Sequence, residues 1–157
     1  MLARLFRWLG RNGKATERDA TLIPAGAILL NGAGGKYRFE VVGQASHQAP
    51  LEAIYEGHRG GGTDCRVIAA LVPEPGHNYN AHAISVSIRG HKVAHFSRGE
   101  GKRYGSLIAG VARRGPVACR ASVRVSLGAD AGPREFRVFL DLAAPSKAAP
   151  PEREAAS

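Results

Sequence analysis

Two consecutive segments near the end of the chain alternate apolar and polar residues so strictly that they constrain the class of fold. In VACRASVRVSL (117–127) every second residue is small and apolar, while Arg120 and Arg124 occupy alternate positions. REFRVFLDL (134–142) repeats the pattern with Phe136, Val138 and Leu140, after a turn-forming stretch at 128–133. Because a period of two is typical of a half-buried β-strand, the sequence predicts two antiparallel strands with one face in the core.

The rest of the segment between Tyr37 and Leu142 is also mainly β in pattern. KYRFEVVG and CRVIAALV are predicted strands, and AISVSI and KVAHFS flank a hairpin turn at 89–91. The run 27–30 is a candidate short strand. Two short helices are predicted: APLEAIYEG, with Pro50 at the first helical position, and a second helix opened by the capping-box pair Ser97 and Glu100. Without βαβ alternation, five or six strands and two helices favour a small, partly closed β-barrel.

The length of 157 residues is that of one domain with short appendages. Residues 1–20 are predicted to be a basic segment in which Leu2, Leu5 and Leu9 recur at helical spacing. Residues 21–142 are predicted to form the β-barrel domain. Residues 143–157 are rich in Pro, Ala and charge, so a disordered tail is expected there.

Positive charge is concentrated in one part of the chain. The net charge is +9, and residues 89–124 contain nine Lys and Arg against one acid, Glu100. A local positive field attracts polyanions such as nucleic acid or anionic lipid headgroups. A basic surface that is merely solvated is the alternative on charge alone.

The histidines and cysteines do not form a recognisable catalytic or metal motif. All six His lie between His47 and His95, but no C-x-x-C, H-E-x-x-H or H-x-H spacing occurs. GAGGK (32–36) lacks the spacing of a phosphate-binding loop and is interpreted as a turn. Cys65 and Cys119 lie in strand-like runs and are expected to be reduced core residues. We therefore predict a protein that is not an enzyme, with no metal and no cofactor. Without an export signal or a membrane-length apolar run, it is predicted to be cytoplasmic.

Binding is the function class that remains. Aromatic and basic residues interleave around the predicted hairpin and second helix, as they do in single-strand-binding modules. The basic members are Arg98, Lys102 and Arg103, and the aromatic candidates are Tyr79, His95, Phe96 and Tyr104. Core packing is favoured over contact for Phe96 and Tyr104, whereas Tyr79 lies in a polar loop after two prolines, where core packing is less expected.

Three segments together resemble the HIRAN domain family. They are VVGQAS, LVPEPGHNYNAHAISV and GHKVAHFSRGEGKRYGSLI, and the likeness extends from about Phe39 to Leu142. The resemblance implies a modified OB-like β-barrel that binds single-stranded DNA, notably a 3′ end. Its pattern N-P-Y-D-x-N-A stands here as HNYNAHA (77–83), and Ala94 replaces the usual glycine before the hairpin His or Tyr.

The resemblance also assigns roles to particular positions. Tyr79 takes the place of the loop tyrosine that packs against a terminal nucleotide. Asn80 stands where the family has an Asp that accepts a hydrogen bond from the 3′-hydroxyl, and His82 takes the place of the family's Asn. His95 occupies the hairpin position that reaches a phosphate or sugar. Gln44, by contrast, begins a stretch where DNA-binding members carry basic and aromatic residues.

The predicted function is thus that of a nucleic-acid-binding module for single-stranded DNA or DNA ends in repair or processing. Its predicted site is Tyr79, Asn80, His82, His95, Arg98, Lys102, Arg103 and Tyr104. A protein-interaction module, acting as an accessory in DNA processing, is the alternative. Membrane association through the N-terminal segment is not favoured, and the sequence does not indicate an oligomeric state.

Overall fold

The computed structural model describes residues 25–56, 64–74, 83–127 and 134–150. Its strands are β1 (Ile28–Leu29), β2 (Phe39–Glu40), β3 (Asp64–Pro73), β4 (Ile84–Ile88), β5 (His91–His95), β6 (Val117–Leu127) and β7 (Arg134–Asp141). Its helices are a 3-10 turn (Gln44–His47), α1 (Gln48–Glu56), α2 (Arg98–Ala112) and α3 (Pro145–Ala148). The N-terminal segment predicted at 1–20 lies outside the described residues.

The strands form one sheet that curls on itself. Its order is β2-β7-β6-β3-β4-β5, with antiparallel neighbours, and β1 pairs in parallel with β6. Val42, just after β2, exchanges both backbone hydrogen bonds with His95 at the end of β5, each at 2.9 Å. Since β2 and β5 are the opposite ends of the strand order, this pair links the two edges. The predicted β-rich, OB-like, partly closed β-barrel is confirmed, although the described residues contain seven strands and three helices where five or six strands and two helices were expected.

The hairpin and the second helix are both confirmed, together with the local sequence signals that predicted them. The connection between β4 and β5 is a two-residue turn in which Arg89 and Gly90 have φ values of 53° and 84°. Two positive φ values in succession characterise the type I′ turn that matches the twist of a hairpin. At the start of α2, the Ser97 hydroxyl accepts a hydrogen bond from the Glu100 backbone N–H at 3.2 Å.

The first predicted strand is much shorter than its sequence suggests. Of KYRFEVVG, two residues form β2 and a third, Val42, forms the isolated bridge to His95. Tyr37 has a φ of 51° and Gly43 a φ of 86°, and both values are left-handed. Because left-handed residues interrupt an extended ladder, the two positions limit the strand on either side.

The core lies inside the curl of the sheet and is covered by the helices. α1 contributes Leu51 and Ile54, and α2 contributes Tyr104, Ile108 and Val111. Phe39, Phe96 and Tyr104 form an aromatic cluster, with ring centroids 4.9–5.8 Å apart. The apolar positions of the alternating strands, including Cys119, Ala121 and Val123, face this core as predicted.

The predicted disordered tail begins too early, because residues 143–150 are packed on the domain. Asn31 ties them down: its backbone N–H donates to Ala148 O at 2.7 Å, and its backbone oxygen accepts from the Ala143 N–H at 2.9 Å. Its side-chain amide also donates to Lys147 O. Ala148 is fully buried. The boundary at residue 143 is therefore wrong, since small alanines and backbone pairing with Asn31 hold a segment whose composition resembles a linker.

Two glutamines occupy the edge of β7 where a neighbouring strand would otherwise pair. Gln48 accepts from the Phe136 N–H at 2.8 Å and donates to the Phe136 carbonyl at 2.9 Å. Gln44 accepts from the Val138 N–H and donates to Val41 O. Phe136, Val138 and Leu140 are alternate residues of β7, so their backbone N–H and C=O groups point to the same side of the strand. β2 pairs with this side at Leu140, and the side-chain amides of Gln44 and Gln48 bind it at Val138 and Phe136. They protect an otherwise open strand edge.

The glycine-rich stretch GAGGK is a turn wrapped around a carboxylate of its own chain. Asp141, only 4% exposed, accepts hydrogen bonds from the backbone N–H groups of Ala33 at 2.8 Å and Gly35 at 3.1 Å. A side chain on Gly32 would meet the Asp141 carboxylate at 2.1 Å. The loop therefore needs glycine at position 32, because the Asp141 carboxylate lies too close for a side chain. The backbone N–H groups of the loop bind this carboxylate of the same chain.

Candidate nucleic-acid interface

Helix α2 presents its cations at its first two turns. Arg98 and Lys102 are exposed and four residues apart, so they lie on the same side of the helix. Arg103, whose side chain is 54% exposed, is paired with Glu100 at 2.7 Å. The N-terminal turn itself attracts negative charge, because its backbone N–H groups point outward from the helix end. This end of α2 therefore concentrates donors suited to phosphate oxygens.

His95 lies immediately before this helix and is held against the chain that follows β2. Its backbone pairs with Val42 and, across the hairpin, with Ser85. A side chain at Gly43 would meet the imidazole at 2.5 Å, so the ring rests directly over that glycine. Since the His95 side chain is also exposed, it is fixed in position while remaining accessible.

An open groove of about 700 Å³ runs beside these residues. It is lined by the chain from Glu40 to Ala45, by the start of α2, and by Glu135 and Arg137 of β7. Arg137 is paired with Glu40 across the groove. The lining contains three carboxylates, those of Glu40, Glu100 and Glu135, against this one arginine. The groove lining is therefore acidic on balance, and the cations of α2 lie beside it.

The predicted site residues separate into three groups. His95, Arg98, Lys102 and Arg103 come together at the β5–α2 junction. Tyr79, Asn80 and His82 lie outside the described residues. Glu74 and Ala83 flank that stretch, and the Glu74 backbone N–H donates to the Ala83 carbonyl at 2.8 Å. The next residue, Ile84, accepts a backbone hydrogen bond from the Phe96 N–H at 2.9 Å. Both flanking residues are thus close to the end of β5.

Tyr104, the remaining predicted site residue, faces the core. Its side chain is 2% exposed, and its hydroxyl donates to the Ala143 carbonyl at 2.7 Å. Burial raises the pKa of the Tyr104 phenol, and the Arg103 guanidinium opposes that shift. Its position one turn after Gly101 places it on the buried face of α2, so its ring is not available for stacking on a base.

The cysteines and described histidines lie apart from one another. Cys65 and Cys119 are fully buried thiols. Burial, with a smaller contribution from Asp141, raises the pKa of the Cys119 thiol far above its ordinary range, so the thiol stays protonated. Within the described ranges, no three His, Cys, Asp or Glu side chains converge as metal ligands would. No described helix is long and apolar enough to cross a membrane.

A second basic surface, which the sequence interpretation identified only in part, covers the outer face of the sheet. The alternation in β6 places Arg120 and Arg124 outward, as predicted. Arg66 of β3 and Arg137 of β7 join them there, next to the partly exposed Phe139. The same alternation in REFRVFLDL would have placed Arg137 and Phe139 outward, but only the strand register reveals which arginines are neighbours.

Comparison of the chain with models of protein families, with curated proteins and with solved structures gave no match.

Proposed function

We propose that this chain is a HIRAN-like module that binds nucleic acid, with single-stranded DNA favoured, and that it catalyses no reaction. The observation that carries the proposal is the grouping of Arg98, Lys102 and Arg103 beside an exposed, positionally fixed His95. Cationic side chains next to planar rings suit a single strand, whose phosphates need charge and whose bases need stacking surfaces.

The arrangement of the three HIRAN-like segments supports the same proposal. The VVG segment reaches the hairpin through the Val42–His95 pair, and the hairpin leads directly into α2. The residues that flank the Tyr79 loop are hydrogen-bonded near the same end of β5. In the proposed mechanism, Arg98 and Lys102 bind phosphates, while His95 and Tyr79 contact the sugar or base at the strand end.

Fluorescence anisotropy with labelled single-stranded, duplex and recessed-end DNA at two salt concentrations tests the proposal. We expect single strands to bind, with affinity falling steeply as salt rises. Replacing both cations (Arg98→Gln with Lys102→Gln) should reduce the slope of log affinity against log salt by about 1.4, or about 0.7 for each lost contact. Arg113→Gln with Lys147→Gln is the control, because it removes the same charge from exposed positions elsewhere.

Absence of binding at low salt, or binding that salt does not weaken, would contradict the proposal. Recognition of a 3′ end is a separate part of it. If oligonucleotides with a 3′-hydroxyl and a 3′-phosphate bind equally well, and Tyr79→Ala changes neither affinity, the end-binding role is wrong while strand binding stands.

The acidic groove favours a second candidate function, that of a protein-interaction module in DNA processing. Three carboxylates in its lining would repel a phosphate backbone, whereas Val42, 38% exposed at its side, offers an apolar contact. A basic peptide segment fits this chemistry. Under this alternative, DNA does not bind at low salt, and a basic partner peptide is lost when Glu135→Lys removes the net negative charge of the groove lining.

A further inference from the structure

The outer face of β3, β6 and β7 carries an arginine cluster that the proposed function has not used. We define the sheet-face cluster as Arg66, Arg120, Arg124 and Arg137 with Phe139. Strand register brings these residues together from three strands: Arg66 lies opposite Ser122, Arg124 opposite Arg137, and Phe139 opposite Ser122 from the other side. Because the cluster lies outside the curl of the sheet, none of these guanidiniums contributes to the core.

Aromatic rings fix the orientation of three of the guanidiniums. Arg124 and Arg137 lie over the Phe139 ring, with Cζ 4.5 and 5.4 Å from its centroid. Arg66 lies 4.8 Å from the centroid of Tyr37. A stacked guanidinium uses its flat face for the ring and keeps its N–H donors in the plane, where they remain directed at other acceptors. Phosphate oxygens are the acceptors that such a planar fork binds best.

Among the described residues, two of the four arginines form ion pairs. Arg137 is paired with Glu40, and Arg66 meets Asp64 at 3.4 Å. Arg124 makes one hydrogen bond, to the Tyr37 carbonyl at 3.3 Å. Among the residues that the structure describes, Arg120 makes no hydrogen bond or ion pair, although the Asp141 carboxylate lies opposite it and Asp64 lies opposite Arg124.

The register places Arg124 between Asp64 on β3 and Arg137 on β7. Arg124 and Arg137 are directly opposite one another on the same face, and like charges in such cross-strand pairs are destabilising. A bound anion converts that repulsion into two favourable contacts. From the stacking, the exposed Arg120 that makes no ion pair and the opposed arginines, we infer that the sheet-face cluster is a second phosphate-binding surface, which holds the backbone of the nucleic acid bound at α2. This inference rests on the proposed function.

The test compares three double variants for binding to a long and a short oligothymidine. Arg120→Gln with Arg124→Gln removes the two least neutralised cations of the sheet face. Arg98→Gln with Lys102→Gln removes the α2 cations, and Arg113→Gln with Lys147→Gln again controls for net charge. Arg120→Gln alone is the reserve variant, because Arg120 is exposed and its loss breaks no contact among the described residues. Thermal melting checks that each variant is folded.

For the long oligothymidine, we expect the sheet-face variant to weaken binding and to reduce the salt slope by about 1.4, while the control retains the wild-type slope. For a short strand that only one surface can hold, the α2 variant should lose most of the affinity. If the wild-type protein binds and the sheet-face variant matches the control, the second surface is wrong and the proposed function stands. If the wild-type protein binds no strand at low salt, both are wrong.

Discussion

The hydrogen bonds between Gln48 and the edge of β7 predict a large stability effect from one substitution on a helix. Gln48→Leu has nearly the same volume but offers neither a donor nor an acceptor. Phe136 would keep its place in the β6–β7 ladder, yet its edge-facing N–H and carbonyl would lose partners now at 2.8 and 2.9 Å. Phe136 is only 3% exposed, so water reaches these groups poorly.

The magnitude follows chiefly from the two bonds to Phe136, since the third bond of the Gln48 amide, to the Gln44 carbonyl at 3.0 Å, lies within the adjoining turn. A neutral hydrogen bond contributes about 0.5–1.5 kcal/mol, and leaving a buried polar group without a partner costs about 1–3 kcal/mol. Because Gln48 is half-buried and some water can enter, we take about 2 kcal/mol for the pair. For a chain of this size that corresponds to a fall in Tm of about 4–8 °C. Urea unfolding followed by far-UV circular dichroism gives the change directly.

A second substitution separates hydrogen bonding from packing. Gln48→Glu keeps an acceptor for the Phe136 N–H but turns a carboxylate oxygen toward the Phe136 carbonyl, so it should also destabilise. Protonation restores a donor, so the folded state holds this proton to a higher pH than the unfolded chain does. The deficit relative to wild type should therefore shrink as the pH falls toward about 4.3 and stay constant below that pH. Ala53→Leu, at an exposed position of α1, is the control and should stay within about 0.5 kcal/mol. If Gln48→Leu also changes the free energy of unfolding by no more than about 0.5 kcal/mol, the glutamine does not stabilise this edge.

Two further predictions concern groups buried by the fold. Asp141→Asn should cost about 1.5–3 kcal/mol, because an amide loses the charge that strengthens the bonds from Ala33 and Gly35; an unchanged melting temperature would show that the loop does not depend on this anion. Burial raises the pKa of Cys119 and of Tyr104, so the folded state holds their protons longer than the unfolded chain does. Stability should therefore be fully present below about pH 8.5 and fall as the pH rises past about 8.5 and then 10. Urea midpoints at pH 7, 9 and 10.5 measure this, and Cys119→Ala should flatten the first part of the decline.

Local signals in the sequence were sufficient for the hairpin, the second helix and the long strands. The capping pair Ser97 and Glu100 acts over three residues, and the two-residue turn at Arg89 depends on its neighbour Gly90. The role of Gln48 was not predictable in the same way, because its partner Phe136 is 88 residues away. The packing of residues 143–150 escaped prediction for the same reason, since it depends on distant Asn31 and not on local composition.

The candidate site likewise combines residues that local spacing predicts with residues that only long-range contacts place. Helical spacing alone places Arg98 and Lys102 on one side of α2, and the grouping with His95 follows from their order along the chain. Core packing was already favoured for Tyr104 although it was kept in the predicted site, and its contacts with Phe39 and Phe96 depend on the direction from which α2 meets that aromatic cluster. Arg66 lay outside the predicted site entirely, as its closeness to Arg124 arises from the pairing of β3 with β6.

The sheet-face cluster and the core are made by the same strands, so they cannot vary independently. In β6 the residues Cys119, Ala121 and Val123 are fully buried, while Arg120 and Arg124 between them face outward. A register slip of one residue would turn every side chain of the strand to the other face and drive both arginines into the core. Because burying an unpaired charge is far more costly than exposing an alanine, the arginines enforce the correct register as well as forming the basic surface. Substituting both with glutamine therefore removes phosphate contacts and weakens the selection against misregistered sheets, so refolding yield should fall even where native stability does not.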